Sequence, residues 1–244
     1  VTQPPQIQRN SHPIKLDGTH ATNLYFGGSF DPPHLGHASL PAQAAHALEQ
    51  QLDLPADSCR LIYVPAARSP HKDIAPTADH HRLAMLNLAL KDLANPWTIW
   101  EQELQDAPLN TGEPSYWADT WAIANQLQPN ANNRFLIGAD QALSMHRWHR
   151  YSEYWKSAVV MMRDDASDID TLIQSLDKLN IWTPEELAHW RTSYLTLSMV
   201  PWSSTSIRNQ LASNRQIASR QKNTRIEGLD PGVQSYIFEH GLYH

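Results

Sequence analysis

Short, nearly continuous apolar runs alternate along the chain with longer stretches in which apolar positions recur at helical spacing. The runs Asn23–Phe26, Arg60–Val64, Thr98–Trp100, Arg134–Ile137, Ala158–Met162 and Leu195–Val200 read as strands covered on both faces. Helices are predicted over His37–Gln51, Asp79–Leu93, Tyr116–Gln126, Ala139–Met145, Asp168–Leu179 and Pro184–Trp190, the last with Thr183 as N-cap. In the second of these, Arg82, Leu83, Met85, Leu86, Leu88, Ala89 and Leu90 carry the helical period. Ser204–Leu211 and Gly232–Glu239 complete the set. Strand–helix alternation of this kind predicts an α/β fold with a doubly wound, mostly parallel, Rossmann-like sheet, whose ligands bind beyond the C-terminal ends of the strands. The weakly patterned, Asp-rich stretch Asp164–His189 reads as an insertion or variable connection. Residues 1–22 are rich in Pro, Gln, His and Asn and read as a flexible extension, leaving 23–244 as a single domain.

Composition narrows the function. Apolar residues make up 41% of 244, enough for a sizeable core, and the net charge of −6 argues against a nucleic-acid coat or an anionic-membrane binder. A single cysteine, Cys59, excludes an intramolecular disulfide and a Cys-rich zinc site. No apolar run reaches membrane-spanning length and the N-terminus lacks a signal-type apolar stretch, so a soluble cytoplasmic protein is expected. Nine tryptophans are many for this length; packing accounts for most, with base stacking for one or two.

The densest chemistry lies in Gly27-Gly28-Ser29-Phe30-Asp31-Pro32-Pro33-His34-Leu35-Gly36-His37, between the first predicted strand and the first predicted helix. Paired glycines permit close ligand approach and positive φ, and two prolines stiffen the turn. Gly36 leaves room for a flat base. The helix N-terminus offers N–H groups to phosphate. His34 and His37 can donate to phosphate oxygens, and a charged imidazole would offset developing charge. No third ligand near the two histidines supports a metal site.

This string resembles the HxGH signature of the nucleotidylyltransferase superfamily, in the GG[ST]FDPxHxGH form of the nicotinate mononucleotide adenylyltransferase family, with Ser29 where Thr is commoner. Further segments follow in the family's order. Ser69-Pro70-His71-Lys72 resembles its basic phosphate segment. Glu113-Pro114-Ser115-Tyr116-Trp117-Ala118-Asp119-Thr120 resembles PSYTxDTL, whose helix start holds the nicotinate carboxylate; Trp117 and Trp121 replace the usual Thr and Leu, which spares backbone donors and removes a hydroxyl. Phe135-Leu136-Ile137-Gly138-Ala139-Asp140 with Trp148 resembles the [IL]GxD…W segment, and Ser203-Ser204-Thr205-Ser206-Ile207-Arg208 resembles ISSTxIR. The tail Tyr236–Tyr243 matches a structural ending.

The resemblance implies in-line attack of a pyridine mononucleotide's phosphate on the α-phosphate of ATP, with pyrophosphate leaving and Mg2+ arriving with ATP. It assigns His34, His37, Lys72 and Arg208 to catalysis. Gly28, Ser29, Phe30, Gly36, Gly138, Asp140, Ser204 and Thr205 would bind ATP. Ser115, Tyr116, Trp117 and Trp148 would bind the mononucleotide. Asp31 is a loose candidate for a water-bridged Mg2+ contact. Alternatives are a nicotinamide mononucleotide or other acceptor, and an inactive nucleotide-binding module. No nucleic acid or membrane partner is expected; self-association is open.

Overall fold

A computed structural model describes residues 22–67, 76–106, 115–163, 169–198, 200–218 and 225–243. Six strands form one sheet: β1 (Thr22–Gly28), β2 (Cys59–Pro65), β3 (Trp97–Ile99), β4 (Asn132–Gly138), β5 (Ala158–Arg163) and β6 (Tyr194–Leu197). Every pair is parallel and the order is β3-β2-β1-β4-β5-β6. The chain steps outward from β1 to β2 and β3, then returns to pair β4 with β1. That reversal opens a crevice beyond the ends of β1 and β4, the place where such sheets bind ligands.

Both faces of the sheet are covered, so successive strand residues are buried on opposite sides. Tyr25, Ile62, Val64, Phe135, Ile137 and Val160 pack under α4 (Trp117–Leu127) and the segments that follow β4 and β5. Leu24, Leu61, Tyr63, Leu136 and Val159 pack on the other side with α1 (Leu35–Gln51) and α2 (Asp79–Leu90). This two-sided burial is why the strands read as continuous apolar runs rather than alternating ones. A third cluster joins Met85 of α2 to Ile207 and Leu211 of α8 (Ser204–Ala218) and Val233 and Ile237 of α9 (Pro231–Glu239).

All six expected strands are present, although β6 stops at Leu197 rather than Val200. The remaining helices are α3 (Gln102–Asp106), α5 (Ala139–Ser144), α6 (Ile169–Asp177) and α7 (Pro184–Thr192). The five-residue α3 is too short to show a period, and the sequence pattern misses it. The expected variable segment Asp164–His189 is, in its described part, built into the core. Leu172, Ile173 and Leu176 of α6 are buried there with Trp182, and Trp190 of α7 is wholly enclosed. Thr183 caps α7 by accepting from the Glu186 N–H at 3.2 Å, as anticipated. Among the described residues no helix is long and apolar enough to cross a membrane.

Candidate active site

The turn after β1 is held from three directions. Phe30 carries φ +47°, a left-handed conformation unusual for a side-chain-bearing residue, and its ring is buried against Phe26, Tyr63 and His37. The expectation of positive φ at Gly27 or Gly28 is corrected: Phe30 takes that conformation instead. Gly28 supplies space, since a Cβ there would lie 3.2 Å from the Phe30 ring. Phe30 therefore contributes no ring face to a nucleotide; its ring is a buttress beneath the loop. Asp31 is likewise structural. Its carboxylate accepts from the Tyr243 hydroxyl at 2.6 Å and the Thr77 N–H at 3.2 Å, tying the loop to the C-terminal tail and the start of α2.

The two histidines form a reciprocal cap. His34 is the N-cap of α1 and its Nδ1 accepts from the Gly36 N–H at 3.1 Å, while the His34 N–H donates to His37 Nδ1 at 3.0 Å. The rings lie 3.7 Å apart between centroids. An Nδ1 that accepts carries no proton, so in each ring the proton sits on Nε2, and Nε2–H is the donor each imidazole can present to a phosphate oxygen. The first amides of α1 are already engaged. Leu35 N–H donates to Gly228 O at 2.8 Å, Gly36 N–H to His34 Nδ1, and His37 N–H to His34 O at 2.8 Å. The expected phosphate donors at this helix start are thus replaced by imidazole edges.

Burial pushes the His34 imidazolium pKa down to about 4, so His34 acts as a neutral donor, and the expectation of a charged imidazole is corrected at this residue. The ordinary value of 6.5 applies to the unfolded chain, which takes up a proton at His34 between pH 6.5 and 4 while the folded chain does not. The stability contribution is full above pH 6.5 and is lost as pH falls toward 4, by about 3 kcal/mol at the limit. Urea midpoints at pH 7 and pH 4.5 should show a smaller acid loss in His34→Asn, which keeps a capping acceptor, than in the parent chain. Equal losses would remove His34 as the cause. At Gly36 a Cβ would sit 2.9 Å from Val200 Cγ2 and 3.0 Å from the His34 ring, so the cap itself requires glycine here.

Helix α8 closes over the same loop. Ser204 Oγ donates to Pro32 O at 2.9 Å, and Arg208 Nη1 donates to Asp31 O at 2.5 Å while Nη2 donates to Thr205 Oγ1 at 3.2 Å. The last predicted motif is thereby brought onto the first, across more than 170 residues. At the end of β4, Gly138 donates its N–H to Gln141 Oε1 at 2.9 Å, and the exposed Asp140 carboxylate lies where a Gly138 Cβ would come within 2.6 Å. Lys72 lies outside the described residues.

A cavity of about 450 Å³ opens at the sheet's reversal point. Gly27, Gly28 and Ser29 form one side, and Phe135, Leu136 and Ile137 of β4 another. All four residues expected at the mononucleotide site line it: Ser115, Tyr116, Trp117 and Trp148. Trp117 packs against Gly27, where a Cβ would meet its ring at 3.2 Å, and stacks along Trp121 with centroids 6.1 Å apart. The rings of Tyr116 and His149 meet at 4.7 Å. No side chain caps the start of α4 beside them. Sequence reasoning missed Glu103, Gln141, Arg147, His149 and Tyr154, which also line the cavity. Arg147 and His149 adjoin Trp148 and could have been suspected from that; Glu103 sits in a stretch without a motif.

A cytidylyltransferase-like family model matches residues 25–210. A Neisseria meningitidis serogroup C protein named "Probable nicotinate-nucleotide adenylyltransferase" is 31% identical over 220 residues, covering 89% of this chain and 96% of that one. A protein of the same name from Gemmatimonas aurantiaca is 30% identical over 221 residues, covering 89% and 90%. The fold is shared with a Plasmodium falciparum nicotinic acid mononucleotide adenylyltransferase solved with NaAD, at TM-score 0.61 and 16% identity over 92% of this chain and 98% of that one.

Proposed function

The chain belongs to the cytidylyltransferase-like family, and from that premise we propose that it is a nicotinate-nucleotide adenylyltransferase, transferring AMP from ATP to nicotinate mononucleotide. The products are deamido-NAD and pyrophosphate. The observation that carries the reading is the pairing of a two-imidazole donor loop with an aromatic cavity at one crevice of the sheet.

The mononucleotide's phosphate is already ionised near neutral pH, so it attacks the α-phosphorus directly, without a general base. An oxygen–phosphorus bond forms as the bond to the β-phosphate bridging oxygen breaks, and pyrophosphate leaves with that electron pair. Catalysis is then positioning and charge stabilisation. His34 donates through Nε2–H as a neutral group, which holds a phosphate oxygen without the cost of burying a cation. His37 Nε2–H serves the charge that builds on the α-phosphate. Arg208, braced by Asp31 O, and Lys72 serve the departing pyrophosphate. Mg2+ enters bound to ATP as part of the substrate. Gly28, Ser29 and the Gly138–Asp140 turn border the nucleotide, and Asp140 accepts from ribose hydroxyls. In the cavity, Trp117 and Trp148 offer faces to the pyridine ring, and the uncapped start of α4 offers backbone N–H groups to the carboxylate.

The test is a product assay with ATP and either nicotinate or nicotinamide mononucleotide, scored for pyrophosphate and dinucleotide. Faster turnover of the acid is expected. Dinucleotide from neither would sink the assignment.

A further inference from the structure

Glu103 is a buried carboxyl group on the five-residue helix α3, and neither the loop chemistry nor the aromatic cavity explains it. It is 7% exposed and lines the cavity. Its Oε1 accepts from Thr120 Oγ1 of α4 at 3.0 Å, and the Ser115 hydroxyl and the Ala67 N–H face the carboxyl group as donors that favour its ionised form. Three donors from two walls therefore meet on one side chain. Ala67 follows β2, whereas Ser115 and Thr120 flank the start of α4.

The link continues through the backbone. The carbonyl and N–H of a trans peptide point in opposite directions. The Ala66–Ala67 peptide presents its N–H to Glu103 and its carbonyl to Arg82 Nη1 at 2.8 Å. The same Nη1 also donates to Ser29 O at 2.8 Å, on the phosphate loop. One peptide is thus clamped between a buried carboxyl group and a buried guanidinium, and these two groups bind the two halves of the crevice.

We propose that Glu103 is a positioning residue for the pyridine half of the site, holding the start of α4 against the end of β2 and, through the Ala66–Ala67 peptide and Arg82, against the phosphate loop. This rests on the reading of the cavity as the mononucleotide site. Burial raises the Glu103 pKa to about 7, outweighing its hydrogen bonds and the field of Arg82. Arg82 from α2 is the charged group that acts on it; Arg147 and His149 line the same cavity, and on α4 the exposed Asp119 is paired with Arg150. Ionised, the carboxylate can accept from all three donors. Protonated, one of its oxygens becomes a donor and one contact is lost. The anchoring is therefore complete above pH 7 and weakens as pH falls through that value.

Initial rates of the full chain with ATP and nicotinate mononucleotide test this. E103Q should raise KM for the mononucleotide about tenfold, the effect of roughly one lost charged hydrogen bond, with kcat and KM for ATP changed less than about threefold. The KM of E103Q relative to the parent should be large at pH 8 and shrink toward unity at pH 6, because the parent is then protonated at the same position. T120V, which removes one donor and keeps the carboxyl group, should move the mononucleotide KM in the same direction and also covers a failure of E103Q to fold. The proposal is overturned if the variants match the parent at both pH values, or if kcat and both KM values change together. A parent chain with no turnover of nicotinate mononucleotide overturns the functional reading and this one together; parent turnover with an unaffected mononucleotide KM in the variants overturns this one alone.

Discussion

Replacing His37 should lower kcat by about 10²- to 10³-fold while leaving ATP affinity within a few-fold, the usual effect of deleting one donor aimed at charge that builds only in the transition state. His37→Ala alone is a blunt test. It removes the Nε2–H, but it also removes the Nδ1 that accepts from the His34 N–H at 3.0 Å, and so loosens the α1 cap. His37→Asn separates the two. Its Oδ1 occupies roughly the place of Nδ1 and can hold the His34 N–H, while nothing replaces the more distant Nε2–H. Both variants should lose turnover to a similar degree, but only His37→Ala should also lose cap stability, by about 1 kcal/mol. Single-turnover rates and ATP titrations of the two variants give the comparison. An Asn variant turning over at the parent rate would leave His37 with a capping role alone.

The contrast between the two roles of this residue shows what the sequence could and could not reveal. The eleven-residue string between β1 and α1 marked both histidines, because residue types and spacing are written in the chain. The direction in which each imidazole nitrogen points was not legible. It depends on the Gly36 and His34 N–H groups and on the Leu35 N–H being taken by Gly228, which lies almost 200 residues away. Gly228 shows the same limit: φ +84° and the Trp202 side chain, within 2.4 Å of where a Cβ would stand, require glycine there, and no local pattern announces either. Strand positions were legible because burial on both faces leaves an unmistakable apolar run. α3 was not, since five residues cannot display a helical period, and with it Glu103 escaped notice. The segment Asp164–His189, which holds Trp182, read as an insertion or variable connection because its polar start, outside the described residues in part, hid a packed continuation. Tertiary context decides such cases where local pattern is short.

Arg82 is where the same limit has the largest energetic consequence. In sequence it is one polar position at the head of a helical apolar pattern, a place usually read as solvent-facing. In the fold it has no exposed surface. Its Nε donates to Thr77 O at 2.9 Å, Nη1 to Ser29 O and Ala66 O, each at 2.8 Å, and Nη2 to Asp79 Oδ1 at 2.6 Å. The ion pair with Asp79 adds little, because that carboxylate is 51% exposed and water can serve it once the arginine is gone. The three carbonyls matter more. They belong to the phosphate loop, the end of β2 and the approach to α2, and no single smaller donor can reach all three. Arg82→Met, similar in length and apolar, should destabilise the fold by about 3–5 kcal/mol by stranding these acceptors. At about 2–4 °C per kcal/mol for a domain of this size, the melting temperature should fall by roughly 10 °C. Arg82→Lys keeps the charge and can satisfy one or two of the carbonyls, so it should fall between the parent and Arg82→Met. Because Ser29 O is among the three, kcat/KM for ATP should decline in the same order when assayed well below each variant's melting point. Thermal unfolding followed by circular dichroism, with rates measured on the same samples, reads both effects. An Arg82→Met chain melting within 2 °C of the parent, at unchanged kcat/KM, would mean that the three carbonyls find other partners and that the guanidinium does not set the geometry of the loop.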